Sequence, residues 1–221
     1  MAAAPRIAVI DYAKGNLKSV ERGLQRAGAA AFITDDPDQI MRADALVLPG
    51  VGAFADAMAG MDATGQRSAI LTALDHGKPF LGICLGLQLL FANGTEGAPE
   101  GGPLPKGLGV IAGTAVRMPK TDAQSRSYKV PHVGWNSIEF DPASTDCALL
   151  DGVEPGEYFY FTHSYIAPEN HATVATTTHS VTFPSVIQAS PTVFGVQFHP
   201  EKSSDAGARV LDNYVGIVRN C

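Results

Sequence analysis

From Arg6 to Phe91, short apolar runs alternate with stretches of helical spacing, and this alternation narrows the possible folds more than any other feature. Residues 6–11, Arg-Ile-Ala-Val-Ile-Asp, read as a buried strand. Leu17, Val20, Leu24 and Ala27 recur at helical intervals, and Gly28 follows as a stop. Second and third strands are predicted over 31–34 and 45–48, the third cut off by Pro49-Gly-Val-Gly52. Helices are expected over about 53–61 and 66–76, a fourth strand over 80–83, and a helix over 85–91. Strands that alternate with helices imply an α/β fold, with a mostly parallel central sheet flanked by helices on both faces.

The second half changes character. Residues 93–109 are rich in Gly and Pro and read as loop. Strand-like runs follow at 109–116, 136–140, 158–161, 172–176, 185–189 and 193–198, and these predict an antiparallel extension of the sheet. A last helix over about 205–218 places Ala208, Leu211, Tyr214 and Val215 on one face. No repeat and no long linker divides the chain, so residues 1–221 are expected to form a single domain.

Composition excludes several classes. The net charge is −6 with 17% charged residues, and no basic block of the nucleic-acid-binding kind occurs. No apolar run approaches the ~20 residues of a membrane helix. The start, MAAAPRIAVIDY, lacks a long apolar segment before a cleavage site, so no secretory leader is expected. The three cysteines, Cys84, Cys147 and Cys221, are widely spaced and odd in number. That argues against a disulfide framework or zinc site and for a reducing cytoplasm.

Phe80-Leu-Gly-Ile-Cys-Leu-Gly-Leu-Gln-Leu-Leu-Phe91 carries the chemistry. Gly82-Ile-Cys84-Leu-Gly86 has the form Gly-x-nucleophile-x-Gly, which marks a sharp strand-to-helix turn in serine hydrolases. Glycines let strand and helix approach, and the helix start aims free N–H groups at the sulfur. The Leu85 N–H is placed to face an oxyanion. A core cysteine would read the same way in isolation, so a base is required. Of the six histidines, His76 reads as a helix-end cap, and His171 and His179 as surface residues. His132, His163 and His199 sit in denser settings. His199 ends an apolar strand before Pro200, so it is expected to be extended, with Glu201 two residues on and pointing the same way. That is the orienting role of a third triad member, although the same pair alone also reads as a solvated strand end. No third ligand stands at metal spacing, and no metal is expected.

Gly82-Ile-Cys-Leu-Gly-Leu-Gln88 together with Gly195-Val-Gln-Phe-His-Pro-Glu201 resembles the class I (triad-type) glutamine amidotransferases, in the family's order. Asp11-Tyr-Ala-Lys-Gly-Asn-Leu-Lys-Ser-Val20, Leu48-Pro-Gly-Val-Gly-Ala-Phe54, Pro131-His-Val-Gly-Trp-Asn136, Tyr160-Phe-Thr-His-Ser-Tyr165 and His199-Pro-Glu-Lys-Ser203 resemble one branch of it, the glutaminase subunits of histidine biosynthesis. The resemblance implies a flavodoxin-like fold and hydrolysis of glutamine to glutamate and ammonia without a cofactor. It makes Cys84 the nucleophile, His199 the base and Glu201 its orienter. The oxyanion hole would be the N–H groups of Leu85 and Val51. Gly50, Gly52, Gln88, Glu96, His163 and Ser164 would bind substrate; Gln88 and Glu96 otherwise read as a polar lapse in an apolar helix and a surface acid.

The resemblance also implies a partner, a (βα)8-barrel cyclase that receives ammonia through an internal passage in a heterodimer. Trp135, Asn136 and the loop 12–16 are expected near that interface, although a lone tryptophan reads almost as well as core. Activity would be low alone and rise with the partner and its ligand, with the 50–52 backbone as the switch. Ala13 departs from the family's usual glycine, and the loop 94–105 is unusually rich in Gly and Pro. Two alternatives stay open: a class I glutaminase serving another synthase, and an inactive scaffold that only binds a partner.

Overall fold

The computed structural model describes residues 3–13, 15–143 and 145–221. Lys14, inside the loop expected near a partner, lies outside the described residues, as do the first two residues of the leader reading. The elements run β1 (Arg6–Ile10), α1 (Leu17–Arg26), β2 (Ala30–Thr34), α2 (Pro37–Arg42), β3 (Ala45–Gly50), α3 (Phe54–Thr64), α4 (Gln66–Asp75), β4 (Phe80–Cys84), α5 (Leu85–Leu89) and β5 (Phe91–Gly94). They continue with β6 (Ile111–Arg117), β7 (His132–Ser137), β8 (Tyr158–His163), β9 (Tyr165–Ile166), β10 (Thr173–Thr178), β11 (Thr182–Ser190), β12 (Val193–Val196) and α6 (Ser204–Arg219).

The main sheet has the order β10-β11-β12-β4-β3-β1-β2. The strands from β2 to β12 pair in parallel, and β11 and β10 extend the sheet antiparallel. Alternation along each strand divides the core. Ile7, Val9, Val47, Leu81 and Ile83 face α1 and α6, where they meet Val20, Leu24, Val210 and Leu211. Ala8, Ile10, Leu46, Leu48 and Phe80 face the other layer, with Ile40, Phe54, Met58 and Ile70 from α2, α3 and α4. Both faces of the strands are covered, which is why they read as continuous apolar runs. A pinning bond crosses the first face, from Tyr214 Oη to the Leu46 carbonyl at 2.7 Å. No helix among the described residues is long and apolar enough to cross a membrane.

Several expectations need correction. α2 was not foreseen, although the Asp36 side chain caps it through the Asp38 N–H at 2.9 Å and Pro37 opens it. The helix after Cys84 ends at Leu89 instead of 91, because Phe91–Gly94 pairs with β6 as a strand. The loop predicted over 93–109 therefore starts later, and Asn93 also bridges Lys106. The strand expected over 136–140 lies over His132–Ser137, where it pairs antiparallel with β8. On α6, Ala208 is exposed, and the buried stripe is Ala206, Gly207, Val210, Leu211, Tyr214, Val215 and Val218.

Candidate active site

The carboxyl ends of β3, β4 and β12 converge, and open parallel sheets bind ligands at that end. Gly50 is in register with Cys84, and Ile83 with Val196. Cys84 closes β4 at φ +55° and ψ −103°, a conformation that a non-glycine residue rarely holds. The flanking glycines are sterically required. A Cβ on Gly82 would fall 2.5 Å from the Gly86 backbone carbonyl. One on Gly86 would overlap the Leu48 carbonyl oxygen. The elbow thus brings α5 directly against β3 and β4. α5 has only five residues, so its contribution is the unpaired N–H groups of its first turn, Leu85 included, more than a long dipole.

His199 follows β12 with extended φ −102° and ψ 96°, as proline requires of its predecessor. Its N–H bonds the Tyr160 carbonyl at 2.9 Å, and its own carbonyl accepts from Ser203 Oγ at 2.7 Å. His199 Nδ1 lies 2.9 Å from Glu201 Oε1, with both side chains buried. The pair forms, but not through extended chain: Pro200–Lys202 is a tight 3-10 turn that brings Glu201 round to the ring. Burial opposes a charged His199, yet the neighbouring Cys84 sulfur and then the Glu201 carboxylate raise it to about 10. Its buried Nε2 makes no hydrogen bond, so that face of the ring is left for the sulfur's proton. The Cys84 thiol donates to the Thr162 carbonyl at 3.7 Å.

A cavity of about 300 Å³ opens beside the sulfur, at the small end of the range for small-molecule sites. Val51, Gly52, Leu85, Gln88, Glu96, His163 and Ser164 line it. Gly50 sits behind them at the end of β3, so every residue expected to bind substrate lines or backs this space. Glu96, Gln88 and His163 carry further bonds. Glu96 Oε2 accepts the Phe54 N–H at 3.1 Å and so caps α3. Burial pushes its carboxyl up, and the Phe54 amide draws it partly back. Gln88 Nε2 donates to the Tyr165 carbonyl at 2.8 Å and to Gln197 Oε1 at 3.1 Å. Gln197 in turn donates from Nε2 to Cys84 Sγ at 3.5 Å. Gln197 was not foreseen as a site residue, although a glutamine inside an apolar strand end was a visible signal.

Beneath the cavity lies a row of imidazoles. His163 Nδ1 donates to the Tyr165 carbonyl at 3.0 Å, which leaves its Nε2 as acceptor for His132 Nδ1–H at 3.2 Å. His132 Nε2 then accepts from Asn136 Nδ2 at 3.4 Å. Burial lowers His163 to about 3 and His132 to about 4, so both are neutral. His179, expected at the surface, is half-buried and stacks on His132 at 4.2 Å. His76 is the exposed helix-end residue expected, and His171 is exposed.

Behind the turn at 50–52, Tyr12 is buried over Gly50, where a Cβ would overlap its hydroxyl. Burial pushes that phenol up, and the Val51 backbone N–H lies against it. Ala13 adopts φ +69°, the left-handed conformation in which glycine is unstrained and alanine is not. Trp135 is 51% exposed, so it is not core, while the Asn136 side chain turns inward to the Thr178 carbonyl at 3.0 Å. Cys147 is buried beside a 3-10 turn and Cys221 is exposed. Among the described residues no group of three His, Cys, Asp or Glu side chains is placed to hold a metal.

The chain is similar to known proteins over nearly its whole length. A family model described as glutamine amidotransferase class-I matches residues 8–216. The imidazole glycerol phosphate synthase subunit HisH of Geobacillus thermodenitrificans is 44% identical over 96% of this chain and 96% of its own. That of Methanothermobacter thermautotrophicus is 46% identical over 96% of this chain and 99% of its own. A solved glutamine amidotransferase superposes with a TM-score of 0.69 over 96% of this chain and 98% of its own, at 16% identity, which speaks to fold alone.

Proposed function

The chain belongs to the class I glutamine amidotransferases, and from that premise we propose how its residues divide the work of releasing ammonia from glutamine. It is the glutamine-hydrolysing subunit of an imidazole glycerol phosphate synthase, in histidine biosynthesis. We read residues 1–221 as one amidotransferase domain built on the main sheet.

The observation that carries the assignment is the elbow cysteine set against a buried His199–Glu201 pair at 2.9 Å. Cys84 gives its proton to His199 Nε2, and the thiolate attacks the side-chain amide carbon of glutamine. Glu201 holds the Nδ1–H tautomer and steadies the imidazolium. The oxyanion is met by the Leu85 N–H and by the Val51 N–H once that amide turns from Tyr12 toward the cavity. His199 returns its proton to the departing ammonia, then activates water to release glutamate from the thioester. Gln88 and Glu96 hold the amino-acid end of the substrate, and His163, Ser164, Gly50 and Gly52 fix its main-chain groups.

The subunit acts in complex with a cyclase subunit. We propose that this partner is a (βα)8 barrel that forms a heterodimer here and takes the ammonia internally. The β7–β8 ribbon is its docking face, with Val133 57%, Trp135 51% and Tyr158 59% exposed on one side. We propose that the reaction takes place in the cytoplasm, a reading that the free cysteines support.

The test is steady-state glutamine hydrolysis with and without the cyclase and its ligand. The expected result is a rise on addition of both, and loss of about 1,000-fold or more in Cys84→Ala. Unchanged ammonia release in Cys84→Ala would reject the nucleophile. No rise with the cyclase and its ligand would reassign the chain to another synthase.

A further inference from the structure

Gln197 is 0% exposed and stands between β12 and His199. Its backbone N–H bonds the Ser185 carbonyl at 2.9 Å, which anchors the residue to the sheet. Its side chain ends a row of amides whose direction the backbone dictates. The Tyr165 carbonyl can only accept, so the Gln88 atom 2.8 Å from it is Nε2. That same Nε2 lies 3.1 Å from Gln197, which must therefore present Oε1 to it. Gln197 Nε2 is left facing Cys84 Sγ at 3.5 Å. The two ends of an amide are easily confused in isolation, and here the carbonyl at the far end removes the choice.

The two neighbours of the sulfur favour opposite protonation states. The Thr162 carbonyl, 3.7 Å away, accepts from a thiol and has nothing to offer a thiolate. The Gln197 N–H donates, and its bond strengthens as the sulfur becomes negative.

We propose that Gln197 is a catalytic residue of the glutamine hydrolysis described above, donating a hydrogen bond to the Cys84 sulfur whenever that sulfur carries charge. The role rests on the proposed glutaminase reaction, while the contact to the sulfur does not. Before attack, the proton of Cys84 passes to His199 Nε2 and the charge left on sulfur is met by Gln197. On attack, a sulfur electron pair forms the C–S bond and the charge moves to the carbonyl oxygen. When water breaks the thioester, the C–S pair returns to sulfur, and the same N–H receives it. Being neutral, the amide does this without the further loss of nucleophilicity that a second cation beside the thiolate would impose. Gln88 holds the amide in place, which gives it a positioning role beside its place in the cavity wall.

The experiment compares the parent chain with Gln197→Met, which keeps the volume and removes the donor, and Gln197→Glu, which keeps the Gln88 contact and replaces the donor by a carboxylate. The pH dependence of iodoacetamide alkylation is followed at the Cys84 peptide by mass spectrometry, with thermal melting as the check of folding. The midpoint is expected to rise by about one to two pH units in Gln197→Met and further in Gln197→Glu. In the presence of the cyclase, kcat is expected to fall about tenfold or more in Gln197→Met, with KM within about threefold. A folded variant whose alkylation midpoint matches the parent overturns the proposal, even if its activity is lost. If Gln197→Met does not fold, Gln197→Glu gives the same reading. A parent that releases no ammonia, yet shows the shift on substitution, would reject the glutaminase reading and keep the donor.

Discussion

His132 and His163 show how a few buried rings set the acid limit of the fold. In the folded chain they titrate at about 4 and about 3, against 6.5 for an ordinary histidine, with burial as the main cause. Between those values the unfolded chain binds more protons, so the sign is fixed. Their contribution to stability is complete above about pH 6.5 and is lost as pH falls toward 4. His163 alone gives a slope of about 1 kcal/mol per pH unit in that window. Denaturant unfolding at intervals from pH 7 to 4.5 should show a falling midpoint, with a shallower slope in His132→Gln. Parallel slopes in the two chains would mean that His132 takes up its proton as readily in the folded chain as in the unfolded one. His199 is held in the opposite sense: a negative sulfur at Cys84 and then the Glu201 carboxylate raise it to about 10, which favours the imidazolium once the sulfur has given up its proton.

The elbow between β4 and α5 makes a sharper demand on its glycines than propensity does. In a helix, glycine to alanine ordinarily stabilises by up to ~1 kcal/mol. Gly86→Ala should do the reverse, because the added methyl would occupy the Leu48 carbonyl, a backbone group that cannot rotate away. We expect a loss of about 2 kcal/mol or more in chemical denaturation, together with loss of glutamine hydrolysis as Cys84 shifts. A stabilised Gly86→Ala would show that β3 and α5 are not held in contact. Glu96 illustrates a different element-level constraint. It caps α3 through Phe54 from 42 residues away, so the wall of the cavity also fixes a helix start.

At the scale of the whole molecule, the main sheet gathers Cys84, His199 and the Gly50–Gly52 turn at one end and the β7–β8 ribbon exposes an aromatic side. The two are joined by the imidazole row, since His132 and His163 sit opposite each other on that ribbon. Trp135 is stacked edge-on with Tyr160 at 6.2 Å and half-exposed, so it can bury a large area on a partner. Trp135→Ala should weaken cyclase binding by about 30-fold or more. Glutamine hydrolysis by the isolated chain should stay as it was. Titration calorimetry against the cyclase measures the first and ammonia release the second. Unchanged affinity would move the docking face elsewhere.

The sequence by itself determined the parallel sheet, through strands apolar enough to be covered on both faces. It also determined the cysteine elbow, through glycines at 82 and 86, and the extended His199, through Pro200. These are local rules of backbone and period, readable within a few residues. The short helix α5, the strand at Phe91–Gly94 and the exposed Ala208 were misread, because neighbours outside those segments decide their state. Only the tertiary structure placed His179 on His132, turned Glu96 onto α3 and exposed Trp135. It alone brought Gln197 to Cys84, 113 residues apart in the chain. Contacts of that kind depend on which strand ends are neighbours, and strand order is not encoded in the period of any one strand.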